Sequence, residues 1–171
     1  VLLSDLSREP RAGLKGSAAT ERLRELGAVI PALNAAELQT DGSLLLRLGA
    51  NEYVALRATG LFERLTAFAM GSDNAPGLCP VPRFAGNAWF SLEGEPLDEL
   101  FAKLCSVDLR ARHFADRRVA QTIVARTSAV LVREDLEGRT RFHVLVDTAT
   151  APYLWDVLRD AMTEYGGSTA S

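Results

Sequence analysis

The chain has 171 residues, enough to bury most of its apolar surface in one core, and carries 19 Lys and Arg against 22 Asp and Glu. A formal net charge of -3 gives polyphosphates no electrostatic reason to bind, which argues against a nucleic-acid partner. No apolar run approaches the ~20 residues of a membrane-spanning helix, and the first residues lack the basic and apolar segments of a signal peptide, so a cytoplasmic protein with no membrane partner is expected.

Residues 1–16 mix Ser, Arg, Glu, Pro10, Gly13 and Gly16 without sustained periodicity and read as an extended or weakly ordered arm. Ser17 is placed to cap a short helix with Leu23 and Leu26 on one side, and Gly27 supplies the left-handed residue that follows a helix end. Leu44, Leu46 and Leu48 alternate with Leu45 and Arg47, and the stretch from Tyr53 to Arg57 alternates again, which predicts a hairpin. Leu61, Leu65 and Phe68 follow Thr59 and Gly60 at helical spacing, predicting a helix that closes near Gly71. Between Gly71 and Gly86 the prolines Pro76, Pro80 and Pro82 argue against either regular ladder, and the lobe boundary is placed there.

The second half has sharper patterns. Ala88, Phe90 and Leu92 face one way in a strand ended by Gly94. Pro96 suits the first turn of a helix carrying Leu97, Leu100, Phe101, Leu104 and Cys105 on a buried stripe. After the polar segment Asp108 to Arg118 come three strand-like runs, Val119 to Ala125, Ala129 to Arg133 and Arg141 to Asp147. Glu137-Gly138 turns the last two, and Phe142, Val144 and Val146 make one face. A final helix runs from about Thr150, with Pro152 in its first turn and Leu154, Leu158, Ala161 and Tyr165 on its stripe, to Gly166-Gly167. The order β-α-β-β-β-α, after an α-β-β-α half, predicts a two-layer α+β fold of antiparallel sheet and helices. The expected organisation is an arm, 1–16, and a single domain, 17–171, with lobes 17–75 and 79–168.

The familiar local motifs of phosphate, dinucleotide, serine-hydrolase and zinc-protease chemistry do not occur. Cys79 and Cys105, with no CxxC and no nearby His pair, are too few for a structural zinc site and read as reduced thiols. His143 lies on a predicted strand beside the apolar face and reads as a partly buried structural imidazole; His113 reads as solvated. Asp108, Arg110, Arg112, Asp116, Arg117 and Arg118 form either a solvated loop or a docking edge that grips partner carboxylates. Trp89, Phe90, Tyr153 and Trp155 are core residues or interface anchors. Trp89 points opposite to Phe90, so an exposed Trp89 would mark a partner.

The stretches Cys79-Pro80-Val81-Pro82-Arg83, Trp89 to Gly94, Leu100 to Arg110, Phe114-Ala115-Asp116, Val119 to Thr122 with Ala125-Arg126, and Tyr153 to Asp156 followed by Ala161-Met162 together carry a resemblance. In that order they resemble the gamma subunit of heterotetrameric sarcosine oxidase; residues 1 to 75 are similar mainly in layout. The resemblance implies a fold related to the folate-binding domain of glycine-cleavage T-protein. It also implies a tetramer that demethylates sarcosine to glycine with formation of peroxide and methylene-tetrahydrofolate. Alpha, beta and delta subunits are the implied partners, and FAD, FMN, NAD, zinc and tetrahydrofolate are implied to sit in them, with no cofactor in this chain. No catalytic, cofactor-binding or metal-binding residue carries over to this sequence. The residues put forward for subunit contact are Arg83, Trp89, Arg110, Arg112 and Arg126. Two readings stand beside this one: a folate-binding or aminomethyl-transfer protein in which Asp108 would orient a folate amine, and a free-standing regulatory domain.

Overall fold

The computed structural model describes residues 1–57, 60, 64 and 76–170. The helix expected over Leu61, Leu65 and Phe68 lies outside the described residues. The chain divides into two compact units, one of Val1–Arg8 with Gly86–Ser171 and one of Glu9–Ala85. The second is thus an insertion between a short N-terminal strand and the rest of the first.

The terminal unit is built on a six-stranded sheet in the order β11-β1-β7-β10-β9-β8. Its strands are β1 (Leu2–Asp5), β7 (Asn87–Glu93), β8 (Val119–Val124), β9 (Thr127–Leu136), β10 (Arg139–Asp147) and β11 (Ser168–Thr169). All neighbours are antiparallel except β1 and β11. The alternation read in the sequence sets the core. Ala88, Phe90 and Leu92, with Phe142, Val144 and Val146, pack against Leu97, Leu100 and Phe101 of α3 (Leu97–Ala102) and Leu154, Leu158 and Met162 of α4 (Ala151–Met162). Phe142 is its centre, with ring centroids 5.3 Å from Phe101 and 6.1 Å from Phe114. Leu104 and Cys105 lie past the end of α3 yet still pack partly buried on the core, so the stripe outlasts the helix. Pro96 sits one residue before the first turn, with extended backbone.

The inserted unit is a five-stranded antiparallel sheet in the order β3-β4-β5-β2-β6, from β2 (Arg11–Lys15), β3 (Ala35–Leu38), β4 (Leu44–Gly49), β5 (Glu52–Leu56) and β6 (Cys79–Val81). The helix α1 (Ala19–Glu25) lays Ala19 and Leu23 on Leu14, Leu45, Tyr53 and Ala55. It ends as Gly27 predicts: Gly27 at φ 80 donates to Arg24 and Ala28 donates to Leu23, closing two of the last carbonyls. A single turn, α2 (Arg83–Gly86), precedes β7. Each unit is therefore a sheet layered with helix, as the α+β expectation had it. No helix among the described residues is long and apolar enough to cross a membrane.

Several expectations are corrected. Residues 1–16 are not an arm: β1 and β2 lie in different sheets, held by backbone ladders rather than by an apolar stripe, since Leu3 is the one buried side chain of β1 and β2 buries Arg11 and Leu14. Ser17 caps nothing in α1, whose cap position is Ala18, with its N–H donating to the Gly77 carbonyl. That approach needs glycine: a Cβ on Gly16, at φ 125, would lie 2.1 Å from the Gly77 oxygen. The proline-rich segment does join a ladder, because β6 is an edge strand and Pro80 opposite Leu14 forfeits no central hydrogen bond. The division between units falls at Ala85 and Gly86, at the end of the Gly71 to Gly86 segment, and Val1–Arg8 belongs with the C-terminal part.

Replacing the central ring, Phe142→Ala, is expected to lower the unfolding free energy by about 3–5 kcal/mol, read from chemical denaturation curves.

Candidate functional site

The strands of the terminal unit have a second face. Opposite the helix-packed residues, β7 presents Asn87, Trp89, Ser91 and Glu93, β10 presents Arg141, His143, Leu145 and Asp147, and β9 presents Val130, Val132 and Glu134. Trp89, Glu134 and His143 are all essentially without solvent exposure. Trp89 Nε1 lies 3.1 Å from His143 Nδ1, and His143 Nε2 lies 2.9 Å from Glu134 Oε2. An indole N–H only donates, so Nδ1 must be the bare, accepting nitrogen. The imidazole is then neutral with its proton on Nε2, donated to Glu134. Hydrogen-bond chemistry thus fixes the tautomer and leaves the ring without an acceptor nitrogen for a substrate proton.

One residue pair further along, Glu93 binds Arg141 through contacts of 3.1 and 2.5 Å and receives Arg139 at 3.4 Å. The Arg141 hydrogen bond holds its carboxyl below the ordinary range against the opposing effect of burial. In the other direction the face opens into a groove of about 430 Å3, lined by Asn87, Gln121, Ile123, Val130, Leu145 and Asp147 among others. Its acid, Asp147, is exposed and accepts the Ala149 N–H at 2.8 Å. A smaller cavity of about 200 Å3 lies beside Pro96, Leu109, Arg133, Thr140 and Phe142. Arg133 there is engaged by Asp135, the Phe114 carbonyl and Thr140.

The residues singled out in the sequence do not converge. Trp89, offered as a contact to another subunit, is wholly buried at 0% exposure, which corrects that assignment: its N–H is given to His143 instead of to a partner. Arg83 is mostly buried and bonds Glu52 at 2.7 Å. Arg110 is exposed and forks onto Asp108 with contacts of 2.8 and 2.5 Å, holding that carboxyl far below the usual range. Asp108 is not among the residues that line these two cavities. Arg112 and Arg126 are exposed. His113 is exposed beside Asp108 at 3.6 Å, and His143 is buried more completely than expected. The mixed-charge loop is pinned from within by Leu109 and Phe114, both buried. Sequence reasoning missed Glu134, although its alternation with Val130 and Val132 places it on the His143 face. Among the described residues no three His, Cys, Asp or Glu side chains cluster as metal ligands.

No protein-family model matches the chain, and no curated protein sequence is significantly similar to it. Solved structures are. One chain of heterotetrameric sarcosine oxidase from Corynebacterium sp. U-96, in complex with pyrrole 2-carboxylate, superposes with a TM-score of 0.78 and 22% identity, covering 99% of this chain and 87% of that one. The glycine cleavage system aminomethyltransferase T from Bartonella henselae superposes with a TM-score of 0.68 and 14% identity, covering 99% of this chain and 47% of that one. The fold is therefore that of T-protein-like proteins.

Removing the donor with Trp89→Phe is expected to destabilise the protein by about 1–3 kcal/mol, measured by urea unfolding, because a buried ring nitrogen loses its partner. Glu93 has a depressed carboxyl, so its contribution is present above the unfolded-state range and is lost as pH falls through its lower folded value. Glu93→Gln should accordingly be less stable than the parent at neutral pH, with the gap closing in acid-unfolding curves as pH falls below the ordinary carboxylate range.

Proposed function

We propose that this chain is the small, non-catalytic gamma subunit of a heterotetrameric sarcosine oxidase. The observation that carries the reading is the degree of likeness: over 99% of this chain the oxidase polypeptide superposes with a TM-score of 0.78 and 22% identity, against 0.68 and 14% for the aminomethyltransferase. The chain's own chemistry is compatible with a supporting role. The imidazole of His143 is sealed between Trp89 and Glu134, and the exposed His113 stands beside an acid already claimed by Arg110.

On this reading the alpha, beta and delta subunits hold the flavins, NAD, tetrahydrofolate and zinc and carry out the demethylation. This chain contributes two layered α+β units and exposed arginines, Arg110, Arg112 and Arg126, for contact with its neighbours. A second reading, a folate-binding or aminomethyl-transfer protein standing alone, draws its support from the groove of about 430 Å3 with Asp147 at its wall.

The chain, tagged in its native host and purified gently, is expected to bring three further polypeptides and the visible absorption of flavin. A colourless single chain would overturn the subunit reading. Saturable tetrahydrofolate binding by that single chain, abolished by Asp147→Ala, would establish the second.

A further inference from the structure

The two sheets differ in how their edges end. In the inserted unit one edge, β6, is three residues long and contains Pro80, while the other, β3, has four residues and runs into Gln39, whose amide bonds both the N–H and the carbonyl of Val29. In the terminal unit one edge, β11, has two residues. The other edge, β8, has six, Val-Ala-Gln-Thr-Ile-Val, with no charge, no proline, no glycine and an unbroken register to β9. Those are the features by which edges are ordinarily blunted, and β8 has none of them.

Its hydrogen-bonding direction follows from the turn. Ala125 and Arg126, at φ 46 and 70, make a two-residue hairpin loop, so Val124 and Thr127 form a hydrogen-bonded pair and the alternation continues through Thr122 and Ala120. At the far end Arg133 donates to Arg118 while Arg117, at φ 61, donates to Arg133, the pattern of a bulge that stops the strand. Val119 and Ile123 therefore turn their N–H and C=O groups away from β9, where no strand among the described residues pairs with them. Ile123 is 52% exposed and forms one wall of the groove. The arginines at the two ends, Arg118 and Arg126, are exposed, and among the described residues neither meets a carboxylate.

We propose that the outer edge of β8 receives an extended segment of a partner polypeptide that carries carboxylates at both ends, adding a seventh strand to the sheet. Main-chain bonds to Val119 and Ile123 supply the pairing, side chains on alternate positions lie over Ile123 and the groove, and Arg118 and Arg126 bind the flanking acids. Six residues of strand span about 20 Å, so a segment of about nine residues reaches both arginines. The charges favour this occupant over a second copy of the chain. Antiparallel pairing of two copies about Gln121 sets Arg118 opposite Val124 and within two residues of the other copy's Arg126, at both ends of the ladder, where like charges repel. The inference does not require the partner to be an oxidase subunit, so it stands or falls apart from the functional reading above.

The test uses the full chain and two nine-residue peptides of alternating Thr and Val, one ended by glutamate pairs and the other by lysine pairs. The glutamate-ended peptide is expected to slow amide exchange at Val119 and Ile123 and to bind at least about tenfold more tightly than its lysine-ended counterpart. The double variant Arg118→Glu, Arg126→Glu should reverse that preference. Ile123→Pro removes an outward N–H at a position where an edge strand tolerates proline, and should abolish the protection while the fold persists. If that variant does not fold, the charge-reversed pair decides. Equal binding of the two peptides, no protection at either amide, or protection at the same amides through concentration-dependent dimerisation would each overturn the proposal.

Discussion

The register between β7 and β10 is the constraint on which the terminal unit depends. Phe90 lies opposite Val144 and Leu145 opposite Trp89, so one face collects Phe90, Leu92, Phe142 and Val144 while the other collects Trp89, Ser91, His143 and Leu145. Side chains alternate with a period of two, so a slip of one residue would send the aromatic core outward and bring His143 under the helices. Strand pairs with one polar face normally leave that face in water. Here both faces are buried, and the polar members of the second face must satisfy one another. Trp89, His143 and Glu134 do so in a chain from one β-strand to the next, and Arg141 with Glu93 repeats the arrangement a pair further along.

That accounting decides what the histidine can do. A general base needs an unoccupied ring nitrogen within reach of a substrate proton, and the two nitrogens of His143 are both spoken for inside the protein. The only other imidazole, His113, is exposed on the loop that Arg110 and Asp108 close between themselves. Both imidazoles of the chain are thus engaged by contacts within the protein, His143 with Trp89 and Glu134 and His113 beside Asp108.

The parts of the fold that were legible in the sequence are those with enough apolar residues at a strand or helix period. Ala88, Phe90 and Leu92 with Phe142, Val144 and Val146 form one buried face, Leu44 to Leu48 are apolar at nearly every position, and Leu97 to Phe101 and Leu154 to Leu158 repeat at helical spacing. What escaped was held by main-chain bonds or by polar burial. The strand Leu2–Asp5 buries a single leucine, Arg11–Lys15 buries an arginine, and Cys79–Val81 contains a proline, so none of them has a hydrophobic period to detect. The sequence leaves Trp89 between a core residue and an interface anchor, because it lies opposite the Phe90 face; the structure buries it with Ser91, His143 and Leu145. Glu134 gave no local sign, since an acid in a strand is ordinarily solvated, and its partner lies on a different strand.

The two ends of β8 carry a further argument about what its arginines are for. Two-residue hairpin loops of this kind place both central residues in the left-handed region, which favours Asn-Gly and disfavours side chains with an ordinary Cβ by about 1–2 kcal/mol each. The neighbouring hairpin meets the requirement halfway, with Glu137 at φ 51 and Gly138 at φ 79. The β8–β9 hairpin has Ala125 and Arg126 in the same positions, and the bulge at the opposite end has Arg117 where glycine would relieve the backbone. Backbone strain of this size persists only where the surroundings determine it or where a side chain is needed at that point. Ala125 packs partly buried on the core and gives its N–H to the Leu104 carbonyl, so the surroundings determine the first position, while Arg126 at the second is exposed. What glycine could not supply at that second position is the guanidinium of Arg126, exposed at one end of the edge with Arg118 at the other. The strained second position of the hairpin is therefore best understood as the mount for a charge, and the charge as what distinguishes an acidic strand from any other that the edge of β8 would accept.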